Sequence, residues 1–493
     1  MRPGTQVPPG LLEMLRVPGL GVQRVRQIHA RLGIDNLPDL ETAALDGRLA
    51  QLPRFGARTA ENILRSIRLL RQAGGRRLRH HAELEAAAVA GALWQVPGVA
   101  EVFMAGALRR ASEVIPEVVL VAVADVVPAE LFQALGRHRN IVEIAGQDER
   151  RVTLRLASGS VVQVVATPRI NLGAVLVEAT GSDAHVDRLA RRAAALGMSL
   201  TGAALWRGST FVPTPDEPAL YGALGLDWIP PELREGGDEL DLAASHRLPR
   251  LVETADLQGL LHCHTAWSDG SSSVEAMAVA ARDAGYRWIG ITDHGPAAVY
   301  AGGLSGESLA READEIDALS GRLDGIRILK GVEADILQDG AVDVDAAAAR
   351  RLDFVIASVH SRFGQDRAAM TARILRALEH PAVTILGHPT GRLLLSREPY
   401  DVDLDAILER AAGLGVAVEV NADPHRLDLD WRYLARARAL GVRLAIGADA
   451  HGVAGLDHMR HGVGIARKGR LAPTDVLNTM SAEAFLDFAR SRR

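Results

Sequence analysis

The feature that most constrains this chain is a regular alternation of apolar, strand-length runs and helical stretches in its second half. Seven such runs follow residue 256, at 257–262, 288–292, 326–332, 354–359, 383–387, 416–420 and 442–447. Parallel strands need long connections, usually a helix, because a tight turn joins only antiparallel neighbours. Seven strand–helix units therefore predict a barrel-like α/β fold for this half of the chain.

Nearly all of these runs end in side chains that can bind a metal ion. Nine such residues follow six of the seven runs: His262, His264, Asp269, His294, Glu333, His360, His388, Asp449 and His451. In parallel α/β barrels the carboxyl ends of the strands form one rim, where active sites lie. Buried there without cations, these groups would repel one another or lack partners. The sequence therefore predicts a metal cluster.

The ligand types restrict the metal and its chemistry. Imidazole mixed with carboxylate favours Zn, Mn or Fe over Mg or Ca, and this many ligands implies two to three divalent ions. Residues i and i+2 of an extended chain face the same way, so His262 and His264 can share an ion while Cys263 points away. Closely spaced ions activate water and hold phosphoryl oxygens. We therefore expect a metal-dependent phosphoesterase rather than a cysteine nucleophile.

The motifs around these residues resemble the ligand set of the PHP (polymerase and histidinol phosphatase) superfamily. The resemblance rests on His262-x-His264, Ser268-Asp269-Gly270, Thr292-Asp293-His294, Gly331-Val332-Glu333, Ser358-Val359-His360, Gly387-His388-Pro389 and Asp449-Ala450-His451. It implies a distorted (β/α)7 barrel with three ions. The implied ligand groups are His262, His264, Glu333 and Asp449; Glu333, His360 and His388; and Asp269, His294 and His451.

The first 85 residues differ from the rest of the chain in charge. They contain 14 arginines and 8 acidic residues, whereas the whole chain has a net charge of −5. Two Pro/Gly turns, 18–21 and 53–56, each precede a helical pattern, at 22–32 and 57–70. These turns resemble the helix-hairpin-helix element, whose glycines let backbone N–H groups approach a phosphate at a helix N-terminus. We expect non-sequence-specific contacts with the DNA backbone at Gly19, Gly21 and Gly56.

The middle of the chain alternates short apolar strands with Ala-rich helical stretches, which predicts an α+β domain. Residues 10–63, 180–182 and 229–235 resemble segments of bacterial family X DNA polymerases, which carry a C-terminal PHP domain. The resemblance implies a multidomain chain: a helix-hairpin-helix, fingers-like segment at 1–85, a palm and thumb at 86–250, and the PHP barrel at 251–493. It also implies that the family's amino-terminal domain is absent here.

The palm departs from the polymerase pattern. The family's Asp-x-Asp reads Glu117-Val118-Val119, and its third aspartate falls on Gln163. Nucleotidyl transfer by two metals needs those carboxylates, so we expect no polymerase activity. A shifted alignment, in which Glu113 or Asp125 supplies the missing ligands, stays open.

The family's Gly-Ser-x-Arg-Arg reads Gly106-Ala107-Leu108-Arg109-Arg110. This arginine pair is either a vestigial phosphate contact or a solvated pair, and the sequence leaves both readings open.

We expect a metal-dependent phosphoesterase acting on DNA, either a 3′-5′ exonuclease or a repair phosphoesterase at DNA ends. Arg362 and Arg392, each a few residues beyond a ligand, are candidate phosphate contacts. Two alternatives are a phosphatase of a small phosphomonoester, such as histidinol phosphate, and a non-catalytic DNA-binding scaffold with structural metals. One cysteine, no long uncharged apolar run and no signal-peptide pattern predict a cytoplasmic protein without a membrane partner.

Overall fold

The computed structural model describes residues 11, 14, 17, 20–53, 55–72, 75–124, 128–136 and 141–492. The chain divides into two compact units. The first comprises Met1–Arg77 with Leu393–Glu398, and the second comprises Leu78–Arg392 with Pro399–Arg493. In the part of the chain that the structure describes, no helix is both long and apolar enough to cross a membrane.

The first unit is helical. Its helices are α1 Val22–Leu32, α2 Leu37–Leu45 and α3 Ala57–Gln72. Ile28 and Ile63 are among the apolar residues that form its core. Both predicted helix starts are confirmed.

The palm occupies the start of the second unit. Its helices and strands are β1 Arg77–Leu78, α4 Arg79–Leu93, β2 Val99–Ala105, α5 Gly106–Arg109, β3 Val114–Ile115, β4 Val118–Ala124, α6 Pro128–Gly136, β5 Ile141–Gln147, β6 Arg151–Leu156 and β7 Val161–Thr167. Five strands form one sheet in the order β2-β4-β7-β6-β5, in which only β4 and β7 are parallel. Helix α4 runs through residue 85, so the helical first unit ends earlier than the boundary drawn from the sequence.

The thumb follows the palm. It consists of α7 Leu172–Thr180, α8 Asp183–Ala195, β8 Met198–Thr201, β9 Ala204–Arg207, β10 Thr210–Val212, α9 Glu217–Ala223 and α10 Glu239–Ala244. The three strands form an antiparallel sheet. Their apolar side chains share a core with those of the helices, including Leu189, Leu205 and Leu220.

The last part of the chain contains eight parallel strand segments in one sheet. Its strands and helices are β11 Gly259–Cys263, α11 Val274–Asp283, β12 Trp288–Ile291, α12 Gly306–Ser320, β13 Arg327–Lys330, β14 Glu333–Asp335, α13 Ala346–Arg351, β15 Val355–Ser358, α14 Arg367–Leu378, β16 Val383–Leu386, α15 Leu404–Leu414, β17 Ala417–Asn421, α16 Trp431–Ala439, β18 Leu444–Ala450, α17 Met459–Lys468 and α18 Ala482–Arg490. All seven apolar runs predicted as strands are strands.

The order of these strands shows that the sheet closes on itself. The order is β13-β12-β11-β18-β17-β16-β15-β14, so its two ends are β13 and β14. Only Gly331 and Val332 separate these two segments along the chain. Gly331 N–H donates to Ile291 O (2.8 Å) on one side, and Ile356 N–H donates to Val332 O (3.0 Å) on the other. One interrupted strand therefore joins both ends, which confirms the predicted distorted seven-stranded barrel.

Palm and thumb are joined by a buried carboxylate between two guanidinium groups. Glu217 accepts from Arg109 Nη1 and from Arg234 Nη1, each at 2.6 Å, and Arg234 is fully buried. Burial alone would raise the pKa of Glu217, but the hydrogen bonds and charges of Arg234 and Arg109 lower it to about 2. The carboxylate is therefore ionised at neutral pH and compensates both arginines.

We predict that Glu217→Gln destabilises the protein by about 3–5 kcal/mol, because it leaves a buried arginine uncompensated. The pKa of Glu217 in the folded protein lies below its ordinary value of 4.5. The contribution of the charge is therefore complete above pH 4.5 and is lost as the pH falls toward 2. Thermal unfolding at pH 7 and between pH 4.5 and 3 measures both effects. The difference in stability between Glu217→Gln and wild type should become smaller as the pH falls.

The matched control is Glu143→Gln, which removes the exposed ion pair of Glu143 with Arg155. We expect a change of no more than about 1 kcal/mol. Equal losses of stability in the two variants would contradict a structural role for the buried carboxylate.

Candidate metal centre

The structure brings all nine predicted ligand side chains together at the carboxyl-terminal rim of the barrel. Their ligand atoms form four groups, each mutually within 4.8 Å: His264, Asp269, His294 and His451; His262, Glu333 and His388; His262, His264 and Asp449; and His294, Glu333 and His360. The groups overlap more than the resemblance implies, since His264 also joins the Asp269 group and His294 joins Glu333 and His360. The nine residues form one continuous cluster.

Glu333 lies at the centre of this cluster. Its carboxylate oxygens lie 3.3 Å from His262 Nε2, 3.2 Å from His294 Nδ1, 3.2 Å from His360 Nε2 and 3.0 Å from His388 Nε2. Two ligand atoms on one tetrahedral zinc ion, each at its usual bond length, are about 3.3 Å apart. The observed spacing is therefore that of atoms that can share divalent ions.

Unpartnered nitrogen atoms test whether such ions fit. His262 Nε2, both ring nitrogens of His264, and Nδ1 of His294 are buried without a hydrogen-bond partner. Buried polar atoms in folded proteins nearly always have a partner, and each exception needs an explanation. A bound cation would satisfy these nitrogens, so the residues present fit a divalent metal cluster.

A surrounding layer of carboxylates orients the imidazoles. His262 Nδ1 lies 2.5 Å from Glu419 Oε1, and His360 Nδ1 lies 2.7 Å from Asp335 Oδ1. A ligating histidine commonly donates its second N–H to a carboxylate, which fixes its tautomer and its orientation. Both contacts involve Nδ1, so Nε2 of each ring is the nitrogen that faces Glu333 and would bind an ion.

Sequence reasoning missed Glu419 because its strand, β17, ends without a ligand. A signal was present, since Glu419 and Asn421 are polar residues two apart in an otherwise apolar strand and therefore share one face. Asn421 Nδ2 donates to Glu419 Oε2 (3.2 Å) and to Asp449 Oδ2 (3.1 Å). Glu419 also accepts from the backbone N–H of His388 at 2.6 Å. Strand β17 therefore positions His262, His388 and Asp449 through hydrogen bonds to their side chains or backbone.

The electrostatics of the cluster favour cations. Burial alone would lower the pKa of His262, but the carboxylates of Glu419, Glu333 and Asp449 outweigh it and raise that pKa well above the ordinary value. Burial alone would raise the pKa of Glu333, yet the imidazoles of His360 and His262 lower it well below its usual range. The carboxylate of Glu333 therefore stays ionised and attracts positive charge, whether from protons or from metal ions.

The backbone departs from the regular pleat at two ligands. His262 has φ +62° and Asp449 has φ +49°, and the pairing of β11 with β12 and β18 shifts register next to His262. The expectation that His262 and His264 meet through simple alternation is therefore wrong in its geometry, although their ring centroids are 5.2 Å apart. Cys263 is fully buried, and burial raises the pKa of its thiol.

Of the two arginines expected to contact phosphate, Arg392 is engaged elsewhere, and the expectation for Arg362 stays a prediction. Arg392 donates to Glu113 at 2.6 Å and to Asp430 at 3.0 Å, so its guanidinium links barrel to palm. Arg362 is exposed and has φ +57°. The arginine that borders the cluster is Arg426, whose Nε lies 3.2 Å from Asp449 Oδ2.

The palm positions that the sequence analysis aligned with polymerase carboxylates adjoin one another. Val119 on β4 pairs directly with Gln163 on β7, and Gln163 Nε2 donates to Glu117 Oε2 at 2.6 Å. Glu113 is committed to Arg392, which disfavours it as a replacement ligand. Asp125, the other candidate, lies outside the described residues.

Arg109 and Arg110 are neither a solvated pair nor free to bind phosphate. Arg109 pairs with Glu217, as described above. Arg110 Nε donates to Glu235 at 3.0 Å, and Lys468 of the barrel also contacts that carboxylate. The arginine pair is part of the junction between palm, thumb and barrel.

The hairpin glycines of the first unit lie where the sequence placed them. Gly21 is the N-cap of α1, and Gly56, with φ +27°, directly precedes α3. A Cβ built on either glycine meets nothing within 4 Å, so the backbone there is open to a close approach. Gly19 lies outside the described residues.

Comparisons with known proteins agree with this architecture. Three family descriptions match: a SAM-like helix-hairpin-helix tandem at residues 11–69, a DNA polymerase beta thumb at 175–235 and a PHP domain at 261–423. The DNA polymerase/3′-5′ exonuclease PolX of Bacillus subtilis is 35% identical over 496 residues, which cover 98% of this chain and 85% of the relative. The chain belongs to the PolX family. This membership confirms the resemblance drawn from the motifs.

Other relatives match part of this PolX family member. A probable phosphatase of Caldicellulosiruptor saccharolyticus is 31% identical over 164 residues, covering 32% of this chain and 64% of the relative. A probable phosphatase of Syntrophotalea carbinolica is 27% identical over 238 residues, covering 46% of this chain and 94% of the relative. The PHP domain and these exonuclease and phosphatase relatives support a hydrolase, and the helix-hairpin-helix tandem supports DNA binding.

We predict that Glu419→Gln weakens metal binding about 10- to 100-fold, because it removes the carboxylate that orients His262. Competition with a chromophoric chelator measures the affinity for Zn²⁺ and Mn²⁺. The matched control is Glu312→Gln, since burial and a hydrogen bond with Asp293 raise the pKa of Glu312 to about 10. The Glu312 carboxyl is already neutral at pH 7, so the Glu312→Gln variant should bind metal with the wild-type affinity. Equal affinities in both variants would contradict the role of Glu419.

Proposed function

We propose that this chain is a metal-dependent phosphoesterase that acts on DNA ends, with 3′-5′ exonuclease activity as its main reaction. The observation that carries the proposal is the nine-residue cluster, with its unpartnered imidazoles and central Glu333, in the same chain as a helix-hairpin-helix unit. Two to three ions of Zn, Mn or Fe suit these ligands. When bound, such ions activate water and hold phosphoryl oxygens in an in-line displacement.

The chain's own residues orient the reactants around that chemistry. His262 and His360 are locked by Glu419 and Asp335, so their Nε2 atoms face Glu333 without side-chain rearrangement. Arg426 borders the cluster beside Asp449 and is the cation placed to contact a non-bridging phosphate oxygen. We propose this role for Arg426 in place of Arg392, because Arg426 pairs with a member of the cluster whereas the guanidinium of Arg392 is held by Glu113 and Asp430.

DNA is the proposed substrate because of the first unit. Gly21 and Gly56 leave open space at the N-termini of α1 and α3. Backbone N–H groups and the positive end of a helix bind phosphate there without reading bases. The arginine excess of residues 1–85 adds a salt-sensitive attraction for the same polyanion.

A phosphatase of small phosphomonoesters is the second candidate, favoured by the probable phosphatases that match the barrel. This function would use the same metal cluster, but it would give the helix-hairpin-helix unit no role. A non-catalytic scaffold is disfavoured because all nine ligand positions are filled. The substrate assay below separates these functions.

The expected assay result is Mn²⁺-dependent shortening of 5′-labelled single-stranded DNA from its 3′ end. His264→Ala removes a residue that belongs to two of the four ligand groups, so we expect hydrolysis to be lost. DNA binding, measured by fluorescence anisotropy, should stay near the wild-type level, because the first unit is separate. Arg443→Ala, at a half-buried arginine that contacts Thr474 O, is the control for a general loss of charge.

Hydrolysis of glycerol phosphate without any cleavage of DNA would contradict the nuclease proposal and favour the small-molecule phosphatase. Bound metal with no hydrolysis of either ester would favour the scaffold. Loss of DNA binding together with catalysis in His264→Ala would contradict the separation of the two functions.

We also predict that this chain does not extend primers. Val119 offers no oxygen to a cation, Gln163 offers a neutral amide, and that amide is bonded to Glu117. Losing one electrostatic contact to a transition state costs on the order of 3 kcal/mol, so the missing carboxylates should suppress nucleotide addition by several orders of magnitude. Incorporation of a dNTP on a one-nucleotide gap, above the level of Glu117→Ala, would contradict this prediction.

A further inference from the structure

Two exposed apolar side chains lie beside the metal cluster, on the loop that follows His294. Val299 is 81% exposed and Tyr300 is 70% exposed, and no large hydrophobic residue within the described ranges is more exposed than Val299. The centroid of the Tyr300 ring is 6.1 Å from that of His294 and 6.3 Å from that of His360. An aromatic face is therefore available to a molecule that occupies the cluster.

The loop that carries them is anchored at both ends. Leu304 N–H donates to His294 O at 2.8 Å, which closes the loop, and Gly303 N–H donates to Ala298 O at 3.1 Å. A Cβ on Gly303 would lie 2.0 Å from Gly295 O, so this close approach requires glycine. Ala298 and Leu304 are buried. Backbone hydrogen bonds and close packing at small residues therefore hold the loop in place, whereas the side chains of Val299 and Tyr300 are exposed to solvent.

An isolated hydrophobic residue on a surface needs no explanation. Here two adjacent bulky residues project from an anchored loop, and the aromatic one lies against two members of the ligand cluster. When the phosphate of a phosphoester occupies the cluster, the group attached to that phosphate lies in the space beside Tyr300. In DNA that group is a nucleoside, whose base is separated from the phosphate by one sugar.

We propose that Tyr300, supported by Val299, stacks against a nucleobase that flanks the scissile phosphate. This inference rests on the proposed function and names the feature of the substrate that the site selects. Every base has a π face, so such a platform tolerates all sequences, as a non-sequence-specific nuclease requires. Tyr300 is then a binding residue that favours nucleotide esters over small phosphomonoesters.

The test combines a protein variant with a substrate variant. Wild type and Tyr300→Ala are compared on single-stranded DNA and on the same strand with base-free residues at its last two 3′ positions. We expect Tyr300→Ala to raise the KM for normal DNA about 5- to 150-fold, the range for losing one base–aromatic contact. We expect no change between the two proteins on the base-free strand, because the partner of the ring is already missing.

Two controls separate stacking from other effects. Tyr300→Phe keeps the ring and should retain the wild-type KM. Tyr433→Ala removes a tyrosine that is 38% exposed on α16, and it should also leave the KM for DNA unchanged.

An equal loss on normal and base-free DNA, or no loss on either, would overturn the stacking proposal while leaving the nuclease proposal intact. Failure of the wild-type protein to cleave any DNA is a different result, because it overturns the proposed function itself.

Discussion

The structure depends on Glu333 and on the interrupted strand that carries it. The break between β13 and β14 lets one segment pair with both ends of the sheet, so the barrel closes at this strand. The same break places the Glu333 carboxylate within 3.0–3.3 Å of imidazole nitrogens from four separate chain segments. The closure of the barrel and the position of Glu333 in the cluster therefore depend on the same break in one strand.

The palm is held to the thumb and the barrel by ion pairs. Its arginines and Glu113 are engaged in ion pairs that link palm, thumb and barrel, through Glu217, Glu235 and Arg392. Buried pairs of this kind add little net stability over an apolar contact, but breaking one leaves a charge unpaired. These ion pairs give Arg109, Arg110 and Glu113 a structural role.

The barrel and the ligand list could be predicted from the sequence because both follow short-range rules. Buried parallel strands read as apolar runs, and ligands follow their carboxyl ends. The left-handed backbone at His262, the support from Glu419, and the pairing of Arg392 with the palm depend on tertiary contacts. No local pattern specifies which distant charge an arginine meets.

The most direct measurement of the central claim is anomalous scattering from crystals grown with Mn²⁺ and a short single-stranded oligonucleotide. The account predicts manganese peaks among the nine ligand side chains, one of them next to Glu333, with the terminal phosphodiester of the strand beside them. Manganese peaks elsewhere, or a strand end bound in the palm near Gln163 with the cluster empty, would contradict it.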